Sequence, residues 1–113
     1  MTKFNQWDIW MCKLPKSKGS VQQKIRPCVI VSNDIGNIFS NVIEVVAMTT
    51  QPKPNLPTHC TISAKSGTKI LDSIVLCEYP IPLPIENFLE KFGRCSECEI
   101  ENIKECLKIS LGL

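Results

Sequence analysis

Prolines and glycines divide this chain into short apolar runs, and that division leaves room only for short elements over most of its length. Eight prolines and five glycines occur among the 113 residues. The runs between them are rich in β-branched residues, which favour strands, and the intervening segments have the composition of turns. With 43% hydrophobic residues at this length, we expect one compact domain over residues 1–113.

The pattern predicts five strands followed by helices. Strands are predicted over residues 9–14, 27–31, 42–50, 56–62 and 73–77, with turns at residues 33–37 and 66–69. The proline-dense residues 79–84 are predicted to form an extended connection. Pro84 then suits the first turn of a short helix that reaches about Phe92 and ends at Gly93.

The last helix has the clearest signals. Ser96 and Glu99 have the spacing of a capping box. The residues that follow form one apolar stripe with a cysteine beside it: Ile100, Ile103 and Leu107, and Cys106. Strands followed by helices indicate the α+β class, with a small curved antiparallel sheet and C-terminal helices.

The charge is unevenly distributed along the chain. The net charge is only +2, but residues 1–30 contain six cations and one anion, whereas the remainder contains seven cations and ten anions. Positive charge is therefore concentrated around the loop at residues 13–24. Both a solvated loop rich in lysine and an anion-binding surface fit this distribution.

No segment has the pattern of a signal peptide or a membrane span. The N-terminal residues lack a continuous apolar region, and no later run approaches the ~20 residues that cross a bilayer. We therefore expect a cytoplasmic protein.

The seven cysteines cannot all pair within one chain. Four of them interrupt apolar runs, where thiols serve as small buried hydrophobes: Cys12, Cys28, Cys60 and Cys77. Cys95 and Cys98 form a CxxC motif followed by Cys106, but a structural zinc site normally needs four ligands at recognisable spacing. We expect reduced cysteines, no bound metal and no cofactor.

Arg26 and Thr49 lie at the ends of two apolar runs that are predicted to form neighbouring strands. Arginine carries a permanent charge on a planar fork that suits phosphate oxygens, and a threonine hydroxyl can orient a phosphate or an attacking hydroxyl. Cleavage of RNA by the ribose 2′-hydroxyl needs that alignment and charge stabilisation. Taken alone, the two residues fit a surface ion pair and an ordinary strand former better.

Longer stretches around both residues resemble the MazF/PemK family of bacterial toxin endoribonucleases. The resemblance runs from Trp7 to Leu113, and its best-matched parts are Gly19-Ser20, Arg26-Pro27, Ser32-Asn33-Asp34, Thr49-Thr50-Gln51, Leu56-Pro57-Thr58-His59 and Asp72-Ser73. It implies a compact SH3-like antiparallel β-barrel with C-terminal helices.

The resemblance also implies an activity and its partners. The expected protein is a homodimeric mRNA interferase that cuts single-stranded mRNA at short recognition sequences without metal, leaving a 2′,3′-cyclic phosphate and a 5′-hydroxyl. Its partners would be a MazE-like antitoxin and, as a toxin-antitoxin complex, operator DNA. The family's catalytic residues match Arg26 and Thr49, and the candidate RNA-binding residues are Lys18, Ser20, Gln22, Lys24, Leu56, His59 and Glu78.

His59 is the only histidine, so one chain cannot supply a histidine pair as acid and base. A histidine at this position of a strand is more often a half-buried polar residue than a catalyst. We expect it to contact RNA or to tune the site.

Several positions depart from the family pattern. Trp7 replaces a common glycine, Val21 replaces a common glutamate, and Tyr79-Pro80-Ile81 replaces a common Gln-Ile-Arg. The recognised RNA sequence therefore cannot be carried over. Exposed aromatic residues can stack on single-stranded bases, and the candidates are Trp7, Trp10, Phe39 and Tyr79, although core packing is the better expectation for tryptophan and phenylalanine.

Two other functions remain open from the sequence. One is a noncatalytic relative that binds antitoxin, RNA or operator DNA, which the changes at Val21 and residues 79–81 keep in play. The other is a gyrase-poisoning toxin with the same barrel; Arg26 and Thr49 argue against it, because that activity does not require them.

Overall fold

The structure is a computed structural model that describes residues 3–15, 24–66 and 69–113. Within these residues the elements are β1 (Asp8–Lys13), β2 (Ile25–Ile30), α1 (Asp34–Phe39), β3 (Val42–Thr49), β4 (His59–Ser66), β5 (Lys69–Leu76), β6 (Ile81–Pro84), β7 (Phe88–Arg94) and α2 (Glu97–Leu111). A 3-10 turn at Ile85–Asn87 joins β6 to β7.

The strands form one curved antiparallel sheet. Their order is β4-β5-β3-β2-β1-β7, and β6 pairs with β3 beside this path. The two strands at the ends of the order, β4 and β7, approach each other, so the sheet curls towards closure. The small curved antiparallel sheet with a C-terminal helix is therefore confirmed.

Alternation of side chains along the strands gives the sheet two apolar faces. The helix-side core lies between the sheet and α2 and consists of Trp7, Ile9, Val29, Val46, Met48, Ile62, Val75, Cys77, Cys95, Ile100, Ile103 and Cys106. The aromatic-side core lies on the opposite face and consists of Trp10, Cys12, Cys28, Ile30, Ile43, Val45, Leu83 and Phe88.

Helix α2 forms as its sequence predicts. The Ser96 hydroxyl accepts a hydrogen bond from the Glu99 N–H, and the Glu99 carboxylate accepts one from the Ser96 N–H. Gly112 ends the helix in the left-handed conformation, with φ of 71°. The apolar stripe is buried against the sheet at Ile100 and Ile103.

The turn predicted at residues 33–37 was wrong, because α1 begins there. The Asn33 side chain accepts a hydrogen bond from the Gly36 N–H at 2.7 Å and caps the helix. Asparagine and aspartate favour turns and helix N-termini for the same reason, since their side chains bond to nearby backbone N–H groups. Local composition therefore did not distinguish the two outcomes.

Residues 79–92 differ most from the prediction. The expected extended connection contains β6, an edge strand in which Leu83 is buried and the prolines at positions 82 and 84 are exposed. The expected helix after Pro84 is a single 3-10 turn followed by β7. Phe88 accounts for the strand, because its ring packs 4.9 Å from Phe4 and 5.9 Å from Trp10, between centroids.

The observed boundaries of some strands also differ from the predicted ones. Strand β4 begins at His59 rather than at residue 56, and β5 begins at Lys69 rather than at residue 73. The turn predicted at residues 66–69 lies partly outside the described residues, since positions 67 and 68 are not among them.

Trp7 adopts a backbone conformation that favours glycine. Its φ is 74°, a region that costs a residue with a side chain roughly 1–2 kcal/mol. The side chain joins the helix-side core and is 9% exposed, so its burial offsets that cost. Trp7 and Trp10 are core residues, whereas Phe39 is 84% exposed and the core expectation for it was wrong.

All seven cysteines are free, and only Cys98 is exposed. Cys28 is held neutral: its hydrogen bond with Cys12 and its burial raise the pKa of its thiol well above the usual range. Cys12 and Cys28 are therefore small apolar core residues, as predicted.

None of the helices in the described part of the chain has the length and apolar character needed to cross a membrane.

Candidate active site

The register of β2 and β3 brings Arg26 and Thr49 together. The two strands are antiparallel and pair Cys28 with Ala47, so the same register sets Arg26 opposite Thr49 two residues further along. The Arg26 Nη1 donates a hydrogen bond to Thr49 Oγ1 at 3.3 Å. A permanent cation is thus held beside a hydroxyl, near the start of β2 and at the last residue of β3.

The Thr49 hydroxyl oxygen accepts two hydrogen bonds. The second comes from the Gln51 N–H at 3.1 Å. A hydroxyl oxygen has two lone pairs, so both are occupied and the hydroxyl proton is left to donate. Thr49 is only 3% exposed, whereas Arg26 is half-buried. The guanidinium is therefore the more accessible member of the pair.

A second polar pair consists of His59 and Glu78. The His59 Nε2 lies 2.6 Å from Glu78 Oε2, and the His59 Nδ1 lies 2.9 Å from the carbonyl oxygen of Pro54. The Thr58 hydroxyl donates to Glu78 Oε1 at 3.4 Å. The His59 side chain is 6% exposed and the Glu78 side chain 23%.

The proton count of this pair follows from its geometry. A carbonyl oxygen only accepts, so Nδ1 must carry a proton, and the short contact to Glu78 needs a second proton. The pair is therefore either an imidazolium with a carboxylate or a neutral imidazole with a carboxylic acid. In both forms the two ring nitrogens are occupied, which makes His59 a tether for the loop that contains Pro54.

The two pairs lie on the same face of the sheet. Residues directly opposite each other on paired strands share a face. Thr49 pairs with Ile74 of β5, and His59 pairs with Leu76 of the same strand. Because Ile74 and Leu76 are two residues apart, their side chains point the same way. This face, which also carries Arg26, is opposite the one covered by α2.

Two of the other predicted RNA-binding residues, Lys24 and Leu56, are exposed. Lys24 is exposed just before β2, and its carbonyl oxygen accepts a hydrogen bond from the Leu14 N–H. Leu56 is 42% exposed in the segment before β4. The remaining predicted residues lie outside the described residues: Lys18, Ser20 and Gln22.

Tyr79 is an exposed aromatic residue next to Glu78 in sequence. It follows Glu78 directly and is 68% exposed. Its exposure fits the stacking role considered from the sequence, and it occupies one of the positions that depart from the family pattern.

Sequence reasoning missed the backbone partners of the site. Nothing in the sequence marks the Pro54 carbonyl as a partner of His59, because the contact depends on how residues 50–58 fold back. The Gln51 N–H was detectable, since a hydroxyl two residues earlier commonly accepts from such a group.

Three thiols form a further group of possible metal ligands. The ligand atoms of Cys60, Cys77 and Cys106 all lie within 4.8 Å of one another. The CxxC motif behaves differently, because Cys95 is buried and Cys98 is exposed.

A family model matches this chain over almost its whole length. The family model described as "PemK-like, MazF-like toxin of type II toxin-antitoxin system" matches residues 5–111. The chain belongs to this family. The resemblance noted in the sequence is therefore confirmed over nearly its full length.

Solved structures described as endoribonucleases or as MazF share the fold. An endoribonuclease from Mycobacterial species is 21% identical, with 100% of this chain and 95% of that chain covered and a TM-score of 0.77. An endoribonuclease from Mycobacterial species in complex with its cognate antitoxin is also 21% identical, with 96% and 95% covered and a TM-score of 0.77. MazF from Deinococcus radiodurans is 18% identical, with 100% and 99% covered and a TM-score of 0.77.

Proposed function

We propose that this MazF/PemK-family toxin is a sequence-specific endoribonuclease that cuts single-stranded mRNA through the ribose 2′-hydroxyl. The observation that carries the proposal is the hydrogen bond between the Arg26 guanidinium and the Thr49 hydroxyl. The chain's membership of a toxin family supports it, as does the shared fold with proteins described as endoribonucleases.

Arg26 is the proposed phosphate-binding and charge-stabilising group. Attack by the 2′-hydroxyl on phosphorus concentrates negative charge on the phosphoryl oxygens, and a fixed guanidinium can bind two of them through its planar fork. A guanidinium hardly ever loses its proton. Arg26 therefore acts by charge and position, and the products are a 2′,3′-cyclic phosphate and a 5′-hydroxyl without a required metal ion.

Thr49 is proposed to hold the guanidinium and then to orient the phosphate. Its oxygen accepts from Arg26 and from Gln51, so its proton is available to a phosphoryl oxygen. Because the residue is 3% exposed, that donation requires neighbouring groups to move aside when RNA binds. Thr49→Ser should preserve both functions, and Thr49→Val should remove both at nearly equal volume.

His59 is proposed as a positioning residue rather than an acid or base. Both of its ring nitrogens are engaged, and its side chain is nearly buried. It holds the loop at Pro54 against the start of β4, on the face that carries Arg26.

Cleavage of a long RNA in excess EDTA tests the proposal. We expect discrete cuts whose upstream fragments end in a cyclic phosphate, and no cleavage at a recognised site whose attacking ribose is replaced by deoxyribose. Arg26→Ala should lower the rate by about 10²–10³-fold, the usual cost of removing one such stabilising donor. Intact RNA, with or without binding, would support the noncatalytic alternative instead.

The chain offers a matched control for this test, because Arg26 and Arg94 are its two arginines. Arg26→Lys keeps the charge but loses the planar fork, so its cleavage rate should fall by at least about tenfold. Arg94→Lys keeps the ion pair with Asp8 and should cleave like the unchanged protein. Equal rates for the two variants would contradict the role of the guanidinium.

We further propose a MazE-like antitoxin as the partner that silences the toxin. The mycobacterial and Deinococcus structures described as complexes with an antitoxin or with MazE support this partner. An acidic segment of the antitoxin would compete with RNA for the basic residues near β2. A homodimer, operator DNA binding by the toxin-antitoxin complex, and action in the cytoplasm belong to the same proposal.

A further inference from the structure

Three cysteines that are far apart in sequence meet behind the proposed RNA face. Cys60 lies in β4, Cys77 follows β5, and Cys106 lies in α2. Their sulfur atoms are all within 4.8 Å of one another. Cys77 and Cys106 are buried in the helix-side core, and Cys60 is partly buried beside it.

The spacing of the sulfurs suits a single metal ion. Thiolate sulfur lies about 2.3 Å from a bound zinc ion, so three sulfurs around one such ion stand about 4 Å apart. The three sulfurs here all lie within 4.8 Å of one another, so closing around an ion would need movements of less than about 1 Å. A buried free cysteine packs as a small hydrophobic residue and does not require other thiols as neighbours. The convergence of three therefore calls for a chemical explanation.

We propose that Cys60, Cys77 and Cys106 form a three-thiolate site for a soft closed-shell metal ion, Cu⁺ or Zn²⁺. Thiolate ligands select these ions over harder ones. Among the described residues the group contains no fourth side chain, so Zn²⁺ would need a water molecule as its fourth ligand, whereas Cu⁺ would not. Binding releases the protons of the coordinating thiols to solvent, and no electron is transferred.

An ion at this position would join three elements. It would connect α2 to β4 and to the end of β5. His59 directly precedes the ligand Cys60, and its partner Glu78 directly follows the ligand Cys77. The site does not depend on the proposed ribonuclease activity, because its ligands point into the opposite core.

Metal titration of the reduced full-length protein under anaerobic conditions tests the site. Cu⁺ is added against bicinchoninate and Zn²⁺ against a chromophoric chelator, and the two arms identify the ion. We expect one ion per chain in at least one arm, an ultraviolet thiolate-to-metal band for Cu⁺, and a higher melting temperature on loading. Cys106→Ser should weaken binding by at least about 100-fold, because even outer-shell partners are worth 10–100-fold.

Cys95→Ser is the matched control, since Cys95 is 5% exposed and Cys106 is 7% exposed. It and Cys98→Ser should bind like the unchanged protein. If Cys106→Ser fails to fold by circular dichroism, Cys60→Ser takes its place, because Cys60 is only partly buried. The proposal is overturned if the protein retains neither ion against its competitor. It is also overturned if Cys95→Ser or Cys98→Ser abolishes binding while Cys106→Ser or Cys60→Ser leaves it unchanged.

Discussion

Replacing His59 with alanine separates a positioning role from a catalytic one. The substitution removes the contacts to Glu78 at 2.6 Å and to the Pro54 carbonyl at 2.9 Å. A hydrogen bond to a charged group contributes about 1.5–3 kcal/mol. The contact to the exposed Pro54 contributes less to the stability of the whole domain, although it positions the loop. We therefore expect the free energy of unfolding to fall by about 2–3 kcal/mol, or roughly 8–12 °C in melting temperature for a chain of this size.

Glu78→Gln provides the counterpart that preserves the hydrogen bonds. A neutral His59 can donate from Nδ1 to Pro54 and accept at Nε2 from the new amide, so both contacts survive with one proton fewer. The free energy of unfolding should change by less than about 1 kcal/mol, since a neutral hydrogen bond replaces a charged one. Glu78→Ala, which leaves Nε2 without this partner, should cost more.

The assay combines urea unfolding with single-turnover cleavage at saturating protein, below the melting temperature of every variant. If His59 only positions the loop, the His59→Ala rate at saturation stays within about tenfold of the original, and the protein concentration needed for saturation rises. A general acid or base would contribute about 10²–10⁴-fold to the rate. Loss of that size at unchanged stability and unchanged RNA binding would refute the positioning role.

Three further predictions follow from single contacts. Lys24→Gln should weaken RNA binding uniformly across sequences and reduce the slope of log affinity against log salt by about one, because Lys24 is exposed beside β2; an unchanged slope would exclude a phosphate contact. Asp8→Asn should lower the unfolding free energy by about 2–3 kcal/mol, since Asp8 is 1% exposed and pairs with Arg94 at 3.2 Å and Lys91 at 3.5 Å; urea denaturation measures it. Ser96→Ala should cost about 1 kcal/mol through loss of the capping box, and thermal unfolding that matches the unchanged protein would contradict this.

The elements that sequence reasoning found are those whose signals are local. The capping box and apolar stripe of α2 lie within a few positions of one another, and β3 is marked by β-branched residues along its own length. The misses depend on distant partners. Residues 88–94 form β7 because Phe88 packs against Phe4 and the strand pairs with β1, a contact that outweighs the local helix signal at Pro84.

The candidate site divides in the same way. The sequence identified Arg26, Thr49, His59 and Glu78 as residues of interest, and the structure shows which of them touch. Sequence reasoning did not identify the Pro54 carbonyl or the grouping of Cys60 with Cys77 and Cys106. Those contacts involve a backbone group and thiols, which carry no pattern of spacing along the chain.

The sequence by itself determined the class of fold, the family, the last helix and the residue types available for phosphate binding, because propensity, capping and motif matches act over short stretches of chain. Only the tertiary structure decided that Arg26 meets Thr49 across 23 positions, that His59 is tethered at both ring nitrogens, and that three thiols converge. For Arg26 and Thr49 the physical reason is strand register, since a shift of one residue would turn one of these side chains to the opposite face of the sheet. The other two contacts depend on how a loop and α2 pack against the sheet.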